Sequence, residues 1–390
     1  MTTSLNPFVK ICIIGFLALL SYTLARFPVI PLYAESLKLS PEQIGLVVSA
    51  STLSGVFFKL PSGILSDVFG RRIMILISVC FFAFTGFFYF LANDGLSLFV
   101  IRMIHGLSTA IWGPVVSAFI SDIASPKNRG QLLSTYSSAN MLGRTIGPLL
   151  GGWLLFWGGY KFPFLASGVV GILALVVAFG LPETKVSKSH EKQFSNGLKT
   201  ILLNKAIILI SIVECLQFLA TGGLECFLPI FSKNVVHLTE WQIGILFGAQ
   251  VIVTMLLKPF LGILSDKFGR KHQIFIGLLL GGLTFMLIPY FKYFLAILIL
   301  VSIYGFTIAV VTSATSAFVT DLASKEKYGA AHGVFGTIMD IGHASGPILG
   351  GILVAKFNFN FLFLIFGLIL ITYGMIFWFV INKMGFTKNV

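Results

Sequence analysis

The chain has 390 residues, of which 56% are hydrophobic and 11% charged, with a formal net charge of +13 and a mean hydropathy of +0.95. Soluble domains carry roughly a quarter charged residues, so a water-soluble globular protein is excluded and an all-α integral membrane protein is expected. In a soluble chain +13 would suggest a nucleic-acid partner, but the placement of the charges excludes one here.

A helix needs about 20 apolar residues to cross the hydrocarbon layer. Twelve such runs follow one another, at about 9–34, 42–66, 73–91, 96–122, 130–155, 162–181, 205–232, 240–265, 272–290, 293–320, 329–355 and 359–382. The one long connection is Pro182 to Asn204, whose stretch from Thr184 to Gly197 is polar and basic and reads as a solvated tether. The expected organisation is a six-helix half at 1–183, a linker at 184–204 and a second six-helix half at 205–390. The first apolar run exceeds a signal-peptide h-region and has a counterpart after Lys205, so it is expected to remain as a span.

Seventeen of the 27 Lys and Arg residues fall on the side of the even-to-odd loops and termini, among them Lys10, Arg71, Arg72, Arg129, Lys205, Arg270 and Lys383. Five fall on the other side: Lys38, Lys161, Lys233, Lys292 and Lys356. The positive-inside rule then places both termini in the cytoplasm of a multi-pass protein of the plasma or inner membrane. Cys12, Cys80, Cys215 and Cys226 lie within spans without metal or disulfide spacing and read as small core residues.

The chain is internally duplicated. GILSDVFGRR (Gly63 to Arg72) returns 199 positions later as GILSDKFGRK (Gly262 to Lys271), with eight of ten residues identical. The same offset relates GRTIGPLLGG at Gly143 to GHASGPILGG at Gly342, and QIG at Gln43 to QIG at Gln242. A period this long holds several spans per copy, as in transporters built from repeated halves.

Asp67 sits in the last turn of the second span, where the helix dipole disfavours an anion, and Gly70 is free to adopt a left-handed cap. An acid in that place needs a partner; Arg71, Arg72 and Asp122 are near, and the second copy offers Asp266, Arg270, Lys271 and Asp321. In the fourth span Arg102 stands four residues before Gly106, while its repeat mate is Val301. An intramembrane cation costs at least a few kcal/mol, which makes Arg102 a functional candidate. In the fifth span Gly143, Gly147, Pro148, Gly151 and Gly152, mirrored by Gly342, Gly346, Pro347, Gly350 and Gly351, clear one helix face and permit a bend. Tight packing alone would account for both copies.

Inside the spans the remaining cations are Arg26, Lys59, Arg102, Arg144 and Lys258, and the acids are Glu214, Glu225 and Asp340. All three acids lie in the second half and four of the five cations in the first. Glu214, about 14 Å along its helix from Lys205, and Asp340 fall near the midplane, where a carboxyl group can load and release a proton as water access changes. Asp340 and His343, three apart, share a helix side. For each acid a fixed salt bridge or a buried hydrogen-bonded role stays open.

The loop G-x-L-x-D-x-x-G-R-[RK], present twice, resembles the signature of the major facilitator superfamily of secondary transporters, and the resemblance covers the whole chain. It implies the two-half, twelve-helix fold of that family, with Gly63, Asp67, Gly70, Arg71 and Asp122, and Gly262, Asp266, Gly269, Arg270 and Asp321, as gating groups. The GP-x-x-GG element resembles that of proton-coupled drug antiporters, and Arg102 resembles an arginine these transporters keep near the proton site. The resemblance further implies that spans one, four, seven and ten line a central cavity, which would bring Arg26, Arg102, Glu214 and Glu225 around it; Trp112, Gln217, Gln250 and Tyr304 are further candidates.

The chain departs from that pattern in one respect. Many proton-coupled exporters of the family carry an acid in the first helix, yet none occurs between Met1 and Pro31. Proton coupling is then expected from Glu214, Asp340 and Glu225 with Arg102, or not at all. Two readings follow: a multidrug-type antiporter for efflux of an organic small molecule, or an importer of a metabolite such as a sugar or organic anion. An enzyme finds no support, since metal-ligand clusters, nucleophile arrangements and phosphate loops are missing from the sequence. The expected partners are a small-molecule substrate and the bilayer, with no nucleic acid; the protein is expected to be monomeric, with a proton gradient and no cofactor or metal.

Overall fold

Each of the twelve predicted runs becomes helix in the computed structural model, which describes residues 6–125, 128–184, 201–324 and 328–384. The order is α1 (Pro7–Arg26), α2 (Val29–Ser36), α3 (Pro41–Phe69), α4 (Arg71–Phe88), α5 (Gly95–Ile123), α6 (Arg129–Gly158) and α7 (Lys161–Ala178). It continues with α8 (Lys205–Asn234), α9 (Glu240–Phe268), α10 (Arg270–Leu287), α11 (Phe294–Leu322), α12 (Tyr328–Lys356) and α13 (Phe359–Lys383). Among the described residues there is no strand, and eleven helical stretches are long and apolar enough to cross a membrane. The 30-residue α6 is long enough but falls short in hydropathy, because its first half carries Gln131, Ser134, Thr135, Ser137, Ser138 and Asn140 and its second half Arg144, Gly147, Pro148, Gly151 and Gly152.

Helix starts follow capping chemistry. Asn6, Asn204 and Asn358 each offer a side-chain oxygen to free N–H groups of the first turn, and Asp94 with Ser97 forms a reciprocal capping box before α5. The first predicted run, expected to be continuous, is interrupted at Phe27–Pro28. Pro28 has no N–H to give the helix, and its repeat mate is Cys226, within an α8 that runs unbroken.

By Cα proximity the chain divides into two compact units. The first comprises Met1–Leu39, Leu46–Lys188 and Thr239–Gly248, the second Ser40–Gly45, Ser189–Leu238 and Ala249–Val390. The first turns of α9 thus count with the first unit, and those of α3 with the second. Residues 185–200, most of the expected linker, lie outside the described residues.

Within the first unit α1 packs on α6 and α7, and α4 on α5 and α7; within the second, α8 packs on α12, and α10 on α11 and α13. The repeated sequence is therefore a repeated packing pattern. The apolar centre of the first unit gathers Ile11, Tyr22, Met74, Phe82, Trp112, Phe119 and Tyr136. Cys12, Cys80, Cys215 and Cys226 form no disulfide among the described residues.

Candidate functional site

The duplicated loop builds the same charge cluster in both units. Arg71, with only 9% of its side chain exposed, is held by Asp67 one turn back, by Ser66 and by Asp122, whose Oδ2 lies 3.3 Å from Arg71 Nε. In the second unit Arg270 meets Asp266 at 3.1 Å and Asp321 at 2.8 Å. The backbone turns through Gly70 (φ 96°) and Gly269 (φ 88°), conformations essentially confined to glycine. Gly63 and Gly262 lie one turn before the acids; a Cβ on Gly63 would touch Pro114 Cβ at 3.8 Å, while Gly262 faces open space.

One part of the first cluster was not anticipated. Glu183 accepts hydrogen bonds from the backbone N–H of Arg72 (3.2 Å) and of Thr184 (3.3 Å), and Thr184 Oγ1 donates to Asp122 Oδ2 (2.9 Å). The Glu183 carboxylate thus covers the N-terminus of α4, where the helix dipole favours an anion. An acid just beyond the sixth apolar run was the available signal.

Asp67 is half exposed, so its pair with Arg71 is worth at most about 1 kcal/mol. Asp67→Asn is accordingly expected to shift the inward–outward balance by no more than about fivefold. Accessibility of introduced cysteines on the two sides measures it; unchanged accessibility on both would contradict a gating role.

The GP-x-x-GG glycines serve two faces. On one, a Cβ at Gly143 would meet Phe16 O at 2.5 Å, at Gly147 Thr23 Oγ1, and at Gly151 Leu24 O at 2.5 Å, so α6 lies backbone-to-backbone on α1. The second unit repeats this on α8, where Gly342 meets Cys215 O, Gly346 meets Leu219 O, and Gly350 meets the Phe227 ring. Pro148 and Pro347 sit within continuous helices.

The other face holds the second glycine of each pair. A Cβ on Gly152 would lie 2.8 Å from Gly244 Cα, within the first unit; within the second, a Cβ on Gly351 would lie 2.4 Å from Pro41 O, and one on Gly45 would lie 2.2 Å from Pro347 O. Gly45 and Gly244 are the glycines of the repeated QIG, which therefore owes its repetition to a helix crossing.

Gly346→Leu should lower stability by about 1–3 kcal/mol through overpacking, read as a lower melting temperature in detergent. Gly336→Ala, on the same helix with open space around it, is the control expected to melt normally.

The arginine of α5 has a structural explanation in its own motif. At Gly106 α5 approaches α3 so closely that a Cβ would lie 2.3 Å from Ser51 O, and the same contact recurs between Gly305 and Gln250 O. One turn before Gly106, Arg102 is fully buried and reaches across this crossing. Its hydrogen bonds go to uncharged oxygens: Ser51 Oγ (2.5 Å), Val48 O (3.3 Å) and Tyr89 OH (3.5 Å). Tyr89 OH in turn lies 2.9 Å from His105 Nδ1, and Tyr22 OH donates to Ser51 at 3.1 Å. Arg26, at the end of α1, lies over the rings of Phe27 (4.4 Å) and Tyr22 (5.4 Å), and Trp112 is buried edge-on to Phe82 in the apolar centre. Ser51, Tyr89 and His105 carry no sequence mark beyond being polar groups in spans.

In the second unit Glu214 on α8 is 3% exposed and accepts a hydrogen bond of 2.7 Å from Thr315 Oγ1 on α11, with the Lys258 ammonium of α9 within electrostatic reach. Glu225, three turns further along α8, meets His343 Nε2 at 2.9 Å. That pair forms because the α8–α12 contact is tight there: a Cβ on Gly222 would lie 2.4 Å from His343 O. His343, read in sequence beside Asp340, therefore finds its carboxylate on another helix, while Asp340 is buried at 8% exposure. Gln217 and Tyr304, both fully buried, bond to each other (3.2 Å), and Thr221 lies 2.9 Å from the Tyr304 hydroxyl.

The model of the family described as Major Facilitator Superfamily matches this sequence twice, over residues 11–248 and 213–387. The chain belongs to the Major Facilitator Superfamily. It is 29% identical over 336 residues to an uncharacterised transporter of this superfamily from Methanocaldococcus jannaschii, covering 84% of this chain and 86% of the relative. It is also 29% identical over 347 residues to Multidrug resistance protein 1 of Bacillus subtilis, covering 87% of each. A crystal structure of a bacterial homologue of the human lysosomal transporter Spinster superposes with a TM-score of 0.81 at 16% identity, over 97% of this chain and 96% of that one. The chain is thus a multi-pass membrane transporter of this superfamily and not an enzyme.

Proposed function

We propose that this member of the superfamily is a proton-coupled exporter of an organic small molecule, working by alternating access. In this reading twelve spans form two six-helix halves, α6 crossing as the fifth span beside the other eleven, and both termini face the cytoplasm. The protein acts as a monomer in the bilayer and draws on a proton gradient rather than on a cofactor.

The observation that carries the proposal is Glu214. Its carboxylate is buried in α8, bonded to Thr315 and near a lysine, and the first repeat has no counterpart. Groups that serve only the shared machinery, such as Asp67 and Asp266, occur in both copies; a carboxylate present once serves the particular transport reaction. Asp340 and the Glu225–His343 pair are the further proton-handling groups, with Arg102 as the fixed cation of the first half. Arg26, Gln217, Tyr304 and Trp112 are proposed around the substrate path, Trp112 as part of its apolar wall. The clusters at Arg71 and Arg270 hold one gating state and are exchanged in the other. The similarity to Multidrug resistance protein 1 of Bacillus subtilis supports this reading.

The second reading, import of an organic anion or other metabolite, is favoured by Arg26 and Arg102 together with the lack of an acid in residues 1–31. Proteoliposomes holding a pH-sensitive dye separate the mechanisms. A panel of cationic, anionic and neutral compounds is added outside, and the first reading expects one class to drive proton movement; proton-silent transport of every substrate found would reject coupling.

A further inference from the structure

Thr315 Oγ1 lies within hydrogen-bonding distance of three oxygens, of which Thr312 O at 3.4 Å is the farthest. Its Oγ1 lies 2.7 Å from Glu214 Oε2 and 3.0 Å from Val311 O, one turn back on its own helix. A hydroxyl has one proton to donate and lone pairs with which to accept, so it serves these two oxygens by turns. With Glu214 ionised the proton goes to the carboxylate, the stronger acceptor. With Glu214 protonated, the carboxylic O–H donates to Thr315 Oγ1, and the threonine proton turns to Val311 O. Rotation about one side-chain bond satisfies both states, and the backbone need not move.

Both residues are out of water, Thr315 at 0% and Glu214 at 3% exposure, so an unsatisfied oxygen in either state would be costly. The pair is also confined to one repeat: the mate of Thr315 is Val116, and the mate of Glu214 is Phe16 with the one-residue shift of the first spans. The α9–α11 crossing at Gly305, nearly three turns from Thr315 along α11, has its counterpart in the α3–α5 crossing at Gly106. The first repeat thus lacks the hydroxyl and the carboxylate together.

The other titratable groups around α8 are accounted for by position. Lys258 on α9 is the charged group within electrostatic reach of Glu214. On α12, Asp340 is buried, His343 meets Glu225 and His332 Nε2 lies 2.9 Å from Thr320 Oγ1. Tyr373 on α13 donates to Leu209 O at 3.1 Å, and Tyr304 on α11 bonds with Gln217 and Thr221. Cys215 is the neighbour on α8 itself.

We propose that Thr315 is a positioning residue whose hydroxyl alternates between Glu214 and Val311 O as Glu214 loses and gains the coupled proton, so that normal proton exchange requires a hydroxyl at position 315. This rests on Glu214 being a coupling group.

The test is a pH titration of the purified full-length protein in liposomes by infrared difference spectroscopy. It follows the protonated-carboxyl C=O stretch that disappears in Glu214→Gln. In Thr315→Val, nearly the same shape as threonine, the ionised carboxylate loses its charge-assisted bond, and the midpoint should move up by about half to one pH unit. Thr315→Ser should return it to the native value. An unchanged midpoint in Thr315→Val, a serine variant that behaves like the valine one, or the lack of a titrating band would overturn the proposal. Substrate-driven proton flux in Glu214→Gln separates the two claims. If that flux is lost while Thr315→Val leaves the midpoint in place, coupling stands and the hydroxyl switch fails. If the flux persists while the midpoint moves, the coupling reading fails.

Discussion

Glu214→Gln abolishes substrate-driven proton movement in proteoliposomes while substrate binding survives. Glutamine keeps the length of the side chain and can accept from Thr315 as the carboxylate does at 2.7 Å, but it neither gains nor loses a proton. A transporter locked in this way can still take up ligand and rock between states, so equilibrium exchange of labelled substrate should persist while accumulation against a gradient is lost. Asp340→Asn should give the same split if both acids carry protons. Normal proton flux in both single variants and in the double would contradict the assignment of coupling to these two acids. The measurement is the dye signal per substrate molecule moved, which separates lost coupling from lost protein.

Arg102→Lys should lower transport at least about tenfold although the charge is kept. Arg102 bonds to Ser51 and Val48 O through one terminal nitrogen and to Tyr89 through the other, across the α3–α5 crossing that Gly106 permits. A lysine ammonium is a single point on a flexible stem and cannot hold these separated oxygens as the planar fork does. Losing one hydrogen bond to a charged group costs about 1.5–3 kcal/mol, which corresponds to a factor of ten or more. The initial rate of substrate accumulation, normalised to protein recovered in folded form, provides the readout. A lysine variant that transports at the native rate would show that position 102 needs only a positive charge.

How much of this was legible in the sequence depends on what kind of signal each feature leaves. Hydropathy is a sum over some 20 residues, so single polar substitutions hardly disturb it and every apolar run became a helix. The break before Val29 escaped because one extra proline, Pro28, does not change such a sum, although it removes a backbone donor where the mate Cys226 does not. The charge clusters were legible because duplication marked them: Asp67, Arg71 and Asp122 recur as Asp266, Arg270 and Asp321, and both sets meet in space. Repetition of QIG was visible too, but its cause was not. A glycine that touches a proline carbonyl on another helix leaves no trace of its partner in the sequence.

The buried polar partners were the least legible. Ser51, Tyr89, His105 and Thr315 are ordinary span residues by type, and they matter because a helix crossing or a rotamer brings them to Arg102 or Glu214. His343 shows the limit of one-helix reasoning: spacing of three sets it on the same side as Asp340, yet the close approach at Gly222 gives it Glu225 from α8. Thr184 heads the stretch read as a solvated tether, yet it binds Asp122, and Glu183 just before it caps α4. Comparing the copies remains the most useful guide, since features kept in both explain the packing and the repeated charge clusters, while those present once, Arg102 and the Glu214–Thr315 pair, are the ones proposed for the chemistry of transport.

The most direct measurement of the central claim uses inside-out membrane vesicles containing this protein, supplied with a labelled substrate from the responsive class. With the vesicle interior made acidic, substrate should accumulate inside, and a protonophore should collapse the accumulation to the level of Glu214→Gln vesicles. Accumulation that ignores both the pH gradient and the protonophore, or that occurs only in right-side-out vesicles, would contradict proton-coupled export.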